Sequence, residues 1–161
     1  MGADVELGSS ARAVQEALRR LGYDNRVVAF DQTTRTAKEA AEAIGCRVEQ
    51  IAKSLVFRTR EGQRPILVVA SGKNRVNEAR LAGYVGEGIE RPDAEYVRAR
   101  TGYAIGGVPP MAHVEALETY IDRDLLRLDI IWAAAGTPHA VFRLTPEELV
   151  ALTGGRVVDV T

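Results

Sequence analysis

Cysteine and histidine are almost missing from this chain of 161 residues, represented only by Cys46, His113 and His139. One thiol closes no internal disulfide, and so few soft ligands make a zinc cage an unfavourable reading, so no metal and no cofactor are expected. No excess of charge of one sign is present either: the formal net charge is -1. The molecule is therefore no polycation, and contact with nucleic acid would have to run through a local patch. No apolar run approaches the ~20 residues that span a bilayer. The start, MGADVELGSS, has neither a basic nor an apolar signal region, and Glu6 stands where a myristoylation signal has Ser or Thr. The expected location is the cytoplasm, away from membranes. Two chemical motifs are also missing. Without G-x-S-x-G a serine-triad esterase has no support, and without G-x-G-x-x-G opening a helix neither has a dinucleotide site.

What the chain does have is an ordinary globular composition, 46% hydrophobic and 27% charged, enough for one domain over 1–161 with a core of its own. Ser10 caps a helix expected over 11–21, and VVAF reads as a strand within 26–30. Thr36 and Glu39 form a capping box for a helix ending at Gly45. Alternation over 51–58 puts Lys53, Leu55 and Phe57 on one strand face, with Ser54, Val56 and Arg58 on the other. Glu61–Gln63 turns the chain into a strand over 65–70 that reads as buried on both faces, giving an antiparallel hairpin. Short helices follow over 77–81 and from Pro92 to about Thr101, then strands over 118–121, 130–134 and 140–144. Thr145-Pro146-Glu147-Glu148 opens a further helix to about Thr153, and 157–160 closes as a strand. The expected class is α+β: a mixed, mostly antiparallel, barrel-like sheet flanked by helices.

Several residues invite a chemical reading, each beside a plainer one. Lys53 lies among apolar neighbours in IAKSLVF; it either snorkels from a strand end or serves as a fixed cation for a phosphate or an oxyanion. The loop TGYAIGGVPP, from Thr101 to Pro110, offers main-chain donors at Gly106 and Gly107, or is a simple Gly-Pro turn. His139 follows Gly136 and Pro138 and either lines a pocket or occupies a surface turn. Arg58, Arg60, Arg64, Lys73, Arg75 and Arg80 are opposed nearby only by Glu61 and Glu78. They form either a phosphate-binding rim or a solvated hairpin face.

Together, TAKEAAEAIG, QIAKSLVF, SGKNRVNEARLA, TGYAIGGVPP, AAAG and LTPEELVALTGGRVVDV resemble the YbaK/ProX family. Its members are free-standing relatives of the editing domain inserted in bacterial prolyl-tRNA synthetases, and the resemblance runs from Thr33 to Val160. It implies hydrolysis of the ester joining a wrong small amino acid, such as Ala, Ser or Cys, to the proline tRNA. The family's essential lysine falls on Lys53 and its G-x-x-x-P loop on Gly106–Pro110. The small-residue segment that closes the pocket falls near Ala135 and Gly136. The expected catalytic set is Lys53, Gly106 and Gly107. Expected substrate contacts are Phe30, Ser54, Gly102, Pro110, Gly136 and His139. Expected tRNA contacts are Arg58, Arg60, Lys73 and Arg75. The partner implied is the acceptor end of an aminoacylated tRNA, with a synthetase as a further candidate.

The chain departs from the family at Pro109-Pro110-Met111-Ala112, where relatives have Ser-Pro-Phe-Gly, and at Ser54, where some have Thr or Asn. A different class stays open: a non-catalytic module that grips aminoacyl-tRNA or a synthetase. A general small-molecule esterase is a third.

Overall fold

The computed structural model describes residues 6–161. Met1–Val5, where no secretory or acylation signal is read, lie outside the described residues.

Helix α1 spans Ser9–Arg20 with Gly8 at its N-cap, so it starts earlier than the Ser10 cap expected. Its Ala11, Val14 and Leu18 are buried, a spacing of three and four that lays one stripe on the core. Strand β1 is Val27–Ala29. Helix α2, Ala37–Ile44, carries the Thr36–Glu39 capping box and ends on Gly45 in the left-handed region. A 3-10 turn at Val48–Gln50 leads into β2, Ile51–Thr59, and β3 follows at Pro65–Ser71. Every residue of β3 is buried, as expected of a strand covered on both faces.

Helix α3 is Glu78–Val85 behind an Asn77 cap, and β4 is the two-residue strand Ile89–Glu90. Helix α4 runs Ala94–Thr101 from Asp93 rather than from Pro92, because the Asp93 carboxylate accepts from the Tyr96 N–H. Strands β5 (Glu118–Asp122), β6 (Ile131–Ala134) and β7 (Ala140–Leu144) precede helix α5 (Pro146–Thr153) and strand β8 (Arg156–Val158).

The eight strands form one mixed sheet in the order β1-β7-β6-β2-β3-β5-β8, with β4 added to β2. Pairs β1–β7, β7–β6, β2–β3 and β2–β4 are antiparallel, while β6–β2, β3–β5 and β5–β8 are parallel. The expected α+β class is present, and the ladder runs from β1 to β8 without closing on itself. One face carries α1 and α5 over Leu67, Val69, Ile121 and Phe142. The other packs Phe57, Ile66, Val68 and Leu81.

One detail of this sheet makes the site. On the side away from β3, strand β2 pairs with β6 only at Ile51 and Ala52, and with β4 only at Arg58 and Thr59. Residues 53–57 therefore have no strand on that edge, and β2 and β6 part company beyond Ala52.

Candidate active site

A cavity of about 400 Å³ opens where those two strands separate. Lys53, Ser54 and Leu55 of β2 line it together with Ala133 and Ala134 near the end of β6, Val141 of β7, and Ala37 and Ala40 of α2. Adjacent strand residues point to opposite faces, so Lys53 and Ser54 share one hollow only because the hollow wraps around the open edge of β2. Thr34, Arg35 and Thr36 form one rim, and Ile105, Gly106 and Val108 another.

The wall is largely apolar, its Ala37, Ala40, Ala52, Ala133 and Ala134 standing beside Ile51, Leu55 and Trp132. Its formal charges are two cations, Lys53 and Arg35, and no carboxylate stands on it. Burial pushes the Lys53 ammonium below the ordinary lysine range; the Asp122 carboxylate opposes this and Arg91 adds to it. Asp122 is itself buried, accepting hydrogen bonds from the Ser71 N–H at 3.0 Å, Asn74 Nδ2 at 2.8 Å and the Asp124 N–H at 2.9 Å.

The rim loop is held by close main-chain packing. Gly106 has φ +91°, and a Cβ there would stand 2.5 Å from Arg35 Cγ. The Gly107 N–H donates to the Ala104 carbonyl at 3.0 Å, and the Gly107 carbonyl accepts from the Gly136 N–H at 2.8 Å. A Cβ on Gly107 would lie 2.7 Å from the Thr137 backbone, and one on Gly136 would lie 2.7 Å from the Ser10 carbonyl oxygen. Gly107 and Gly136 thus join the rim loop to the turn after β6 at a distance no larger residue permits.

Of the residues singled out from sequence, Lys53, Ser54 and Gly106 come together on the cavity wall. Gly107 lies behind it, with its N–H spent on the turn rather than free for a ligand. Gly102 caps α4 at φ +89° and borders a separate hollow beside His113. Pro110 is buried behind the loop. His139 is exposed, its Nδ1 3.1 Å from the Gln32 carbonyl, and Phe30 is fixed through its N–H to the His139 carbonyl at 2.8 Å; neither lines the cavity. The small-residue wall is Ala133 and Ala134, not Ala135 and Gly136. Thr34, Arg35 and Trp132 were missed. The one signal for them was position: they flank a recognised cap and the AAAG segment.

The expected tRNA contacts divide. Arg58 is paired with Glu90 at 2.6 Å and lies over the Tyr96 ring, and Arg60 Nε donates to the Ile89 carbonyl at 3.2 Å. Lys73 and Arg75 are exposed on the loop between β3 and α3. No group of three or more His, Cys, Asp or Glu among the described residues is arranged to share a metal ion.

The aminoacyl-tRNA editing domain family matches residues 31–152, which contain the whole cavity wall. The chain belongs to this family. The editing-domain protein is 32% identical over 152 residues to the uncharacterized protein YwhH of Bacillus subtilis, covering 94% of this chain and 96% of that one. It is 33% identical over 94 residues to the proline–tRNA ligase of Limosilactobacillus fermentum. That match takes in 56% of this chain and spans 16% of the ligase. Among solved structures, a candidate trans-editing enzyme for prolyl tRNA synthetase superposes with a TM-score of 0.91 at 48% identity, covering 97% of this chain and 99% of the other. No helix among the described residues is long and apolar enough to cross a membrane.

Proposed function

We propose that this editing-domain protein acts in trans as a deacylase, hydrolysing the ester between a small amino acid and the 3′ end of a mischarged tRNA, with the proline tRNA as the expected carrier. The observation that carries this reading is the meeting of Lys53 and Gly106 on one largely apolar cavity beside an open strand edge. Water attacks the ester carbonyl, the bond to the ribose oxygen breaks, and that oxygen leaves with a proton as the free hydroxyl. The Lys53 ammonium holds a phosphate or hydroxyl of the terminal nucleotide and balances charge on the tetrahedral intermediate. The Gly106 N–H is the main-chain donor for the carbonyl; Gly107 contributes loop shape instead. An aminoacyl ester is already activated, so positioning and one or two donors, each contributing about 3 kcal/mol, form a sufficient catalyst.

The second reading is a binding module that grips the aminoacylated end without turnover. It is favoured by one feature: no carboxylate or histidine lines the cavity to act as general base. Incubating the protein with aminoacylated tRNA and following loss of the ester separates the two. Turnover is the expected result; tight binding with the ester intact would overturn the deacylase reading.

A further inference from the structure

A second hollow, of about 490 Å³, lies beside the cavity on the sheet face shared by β1, β7 and β6, and Trp132 lines both. Strand register sets part of its floor in one row. Trp132 stands opposite Arg143, and Val27 stands opposite Phe142, so Arg26, one residue before Val27, falls opposite Arg143. Side chains directly opposite on neighbouring strands share a face. The row Arg26, Arg143, Trp132 therefore crosses three strands in roughly 10 Å, two strand spacings. Beyond Trp132 its parallel partner Ile51 leads to Lys53, two residues along the same face of β2. The row runs into the cavity.

Like charges directly opposite each other destabilise a strand pair, so two arginines side by side on an open face need a reason. Arg58, Arg64, Arg91, Arg100 and Arg123 each have a carboxylate. Arg26 and Arg143 are exposed, and among the described residues neither side chain makes an ion pair or a hydrogen bond. The carboxylates on this wall are Asp24 and Glu148. Glu148 is held by the Thr145 N–H at 2.9 Å and by Asn25 Nδ2 at 3.2 Å. Asn25 Oδ1, on the same wall, is buried without a hydrogen-bond partner.

A half-exposed indole beside two unpaired guanidinium groups suits few partners. An acidic peptide satisfies the cations and leaves the indole face without a flat neighbour. A nucleic-acid strand brings phosphates for the arginines and bases for the indole, and its ribose hydroxyls are donors for Asn25 Oδ1. The strand must be unpaired, because duplex bases already stack on one another. We propose that the unpaired 3′ strand of the tRNA leaves the cavity over Trp132 and crosses β6, β7 and β1. One base stacks on the indole, and the phosphates that follow lie on Arg143 and Arg26. This path rests on the deacylase reading for the identity of the strand and concerns binding alone.

Trp132 is the one tryptophan of the chain, so its emission reports on this face directly. Titrating the full chain with an uncharged single-stranded RNA of about six nucleotides ending in CCA should change that emission saturably. Anisotropy of the same RNA, labelled at its 5′ end, measures the variants. Trp132→Ala should weaken binding at least about fivefold, and Trp132→Phe, which keeps a ring, should weaken it less. Trp132 also packs against the cluster around Ile51, so the exposed arginines give the readout in which the fold is not at stake. Arg143→Ala and Arg26→Ala should each lower the slope of log affinity against log salt by about 0.7. Emission unmoved across the titration would overturn the path. So would an equal loss of slope in Arg98→Ala, an exposed cation of α4, or a polyglutamate peptide bound as tightly as the RNA. RNA bound as described, with mischarged tRNA left uncleaved, would support the path and overturn the deacylase reading alone.

Discussion

Lys53 shows how much one side chain depends on its surroundings. Half-buried beside apolar neighbours, it pays for partial desolvation, and the nearby Asp122 carboxylate returns part of that. Replacing it with Ala should reduce deacylation at least about a hundredfold while leaving the circular dichroism spectrum and melting temperature close to the parent. Retained turnover would remove it from the mechanism. The pH dependence follows from the direction of its shift. A step that needs the ammonium proceeds fully below the folded-state pKa and fails as pH rises through it. Because that pKa is lowered, the alkaline limb of kcat/KM, after subtraction of spontaneous hydrolysis, should begin below the ordinary lysine value of about 10.4. A limb unchanged in Lys53→Ala would assign it to another group. His113 titrates in the opposite region. Burial pushes its imidazole down, and the hydrogen bond from Nε2 to the Pro109 carbonyl at 2.7 Å only partly opposes this. Folding therefore disfavours the His113 proton, which the unfolded chain takes up near pH 6.5, roughly the ordinary histidine value. Stability from this site is complete above that pH and falls below it. Melting temperatures across that interval should fall less steeply in His113→Gln.

At the scale of elements, the most legible features were those encoded locally. Both capping boxes, Thr36–Glu39 and Thr145–Glu148, stand where the sequence puts them. Thr145→Ala should cost about 1 kcal/mol in urea unfolding, the ordinary weight of a cap. The hairpin of β2 and β3 was equally readable, because alternation and a continuous apolar run lie side by side. What escaped was whatever depended on distant partners. Strand β4 is two residues long and exists because Arg58 and Thr59 need an edge partner. The packing of Gly136 was hidden for the same reason: nothing in AAAG says that a turn will rest against the Ser10 carbonyl of a helix more than a hundred residues earlier. Gly136→Ala adds a Cβ into that contact at φ +94°. It should destabilise the protein by at least about 2 kcal/mol and slow deacylation only through loss of folded protein. A stable Gly136→Ala with altered substrate preference would return this glycine to the pocket.

For the molecule as a whole, charge is the part the sequence least revealed. Arg58, Arg64 and Arg80 look unopposed along the chain, yet the fold brings Glu90 to Arg58, Glu87 and Glu118 to Arg64, and the Thr161 carbonyl to Arg80. Among the described residues, Lys73 and Arg75 are the exposed cations of that group whose side chains make neither an ion pair nor a hydrogen bond, and Arg35 stands exposed at the cavity rim. If tRNA crosses this face, changing Lys73 and Arg75 to Ala should reduce the slope of log affinity against log salt by about one each. The same changes at Arg58 should act mainly on stability. An unchanged slope would send the RNA to a different surface.

The sheet's interrupted ladder has a mechanical consequence as well. Strand β2 is fastened at its two ends, by β6 and by β4, and left unsupported between them on one side, like a beam pinned at both supports. Its other side is held by continuous pairing with β3 over Ala52–Arg58, so only the main-chain groups of the open side face the hollow. Every second main-chain group along that span is a rung waiting for a partner. A bound aminoacyl end should slow deuterium uptake there more than anywhere else in the sheet.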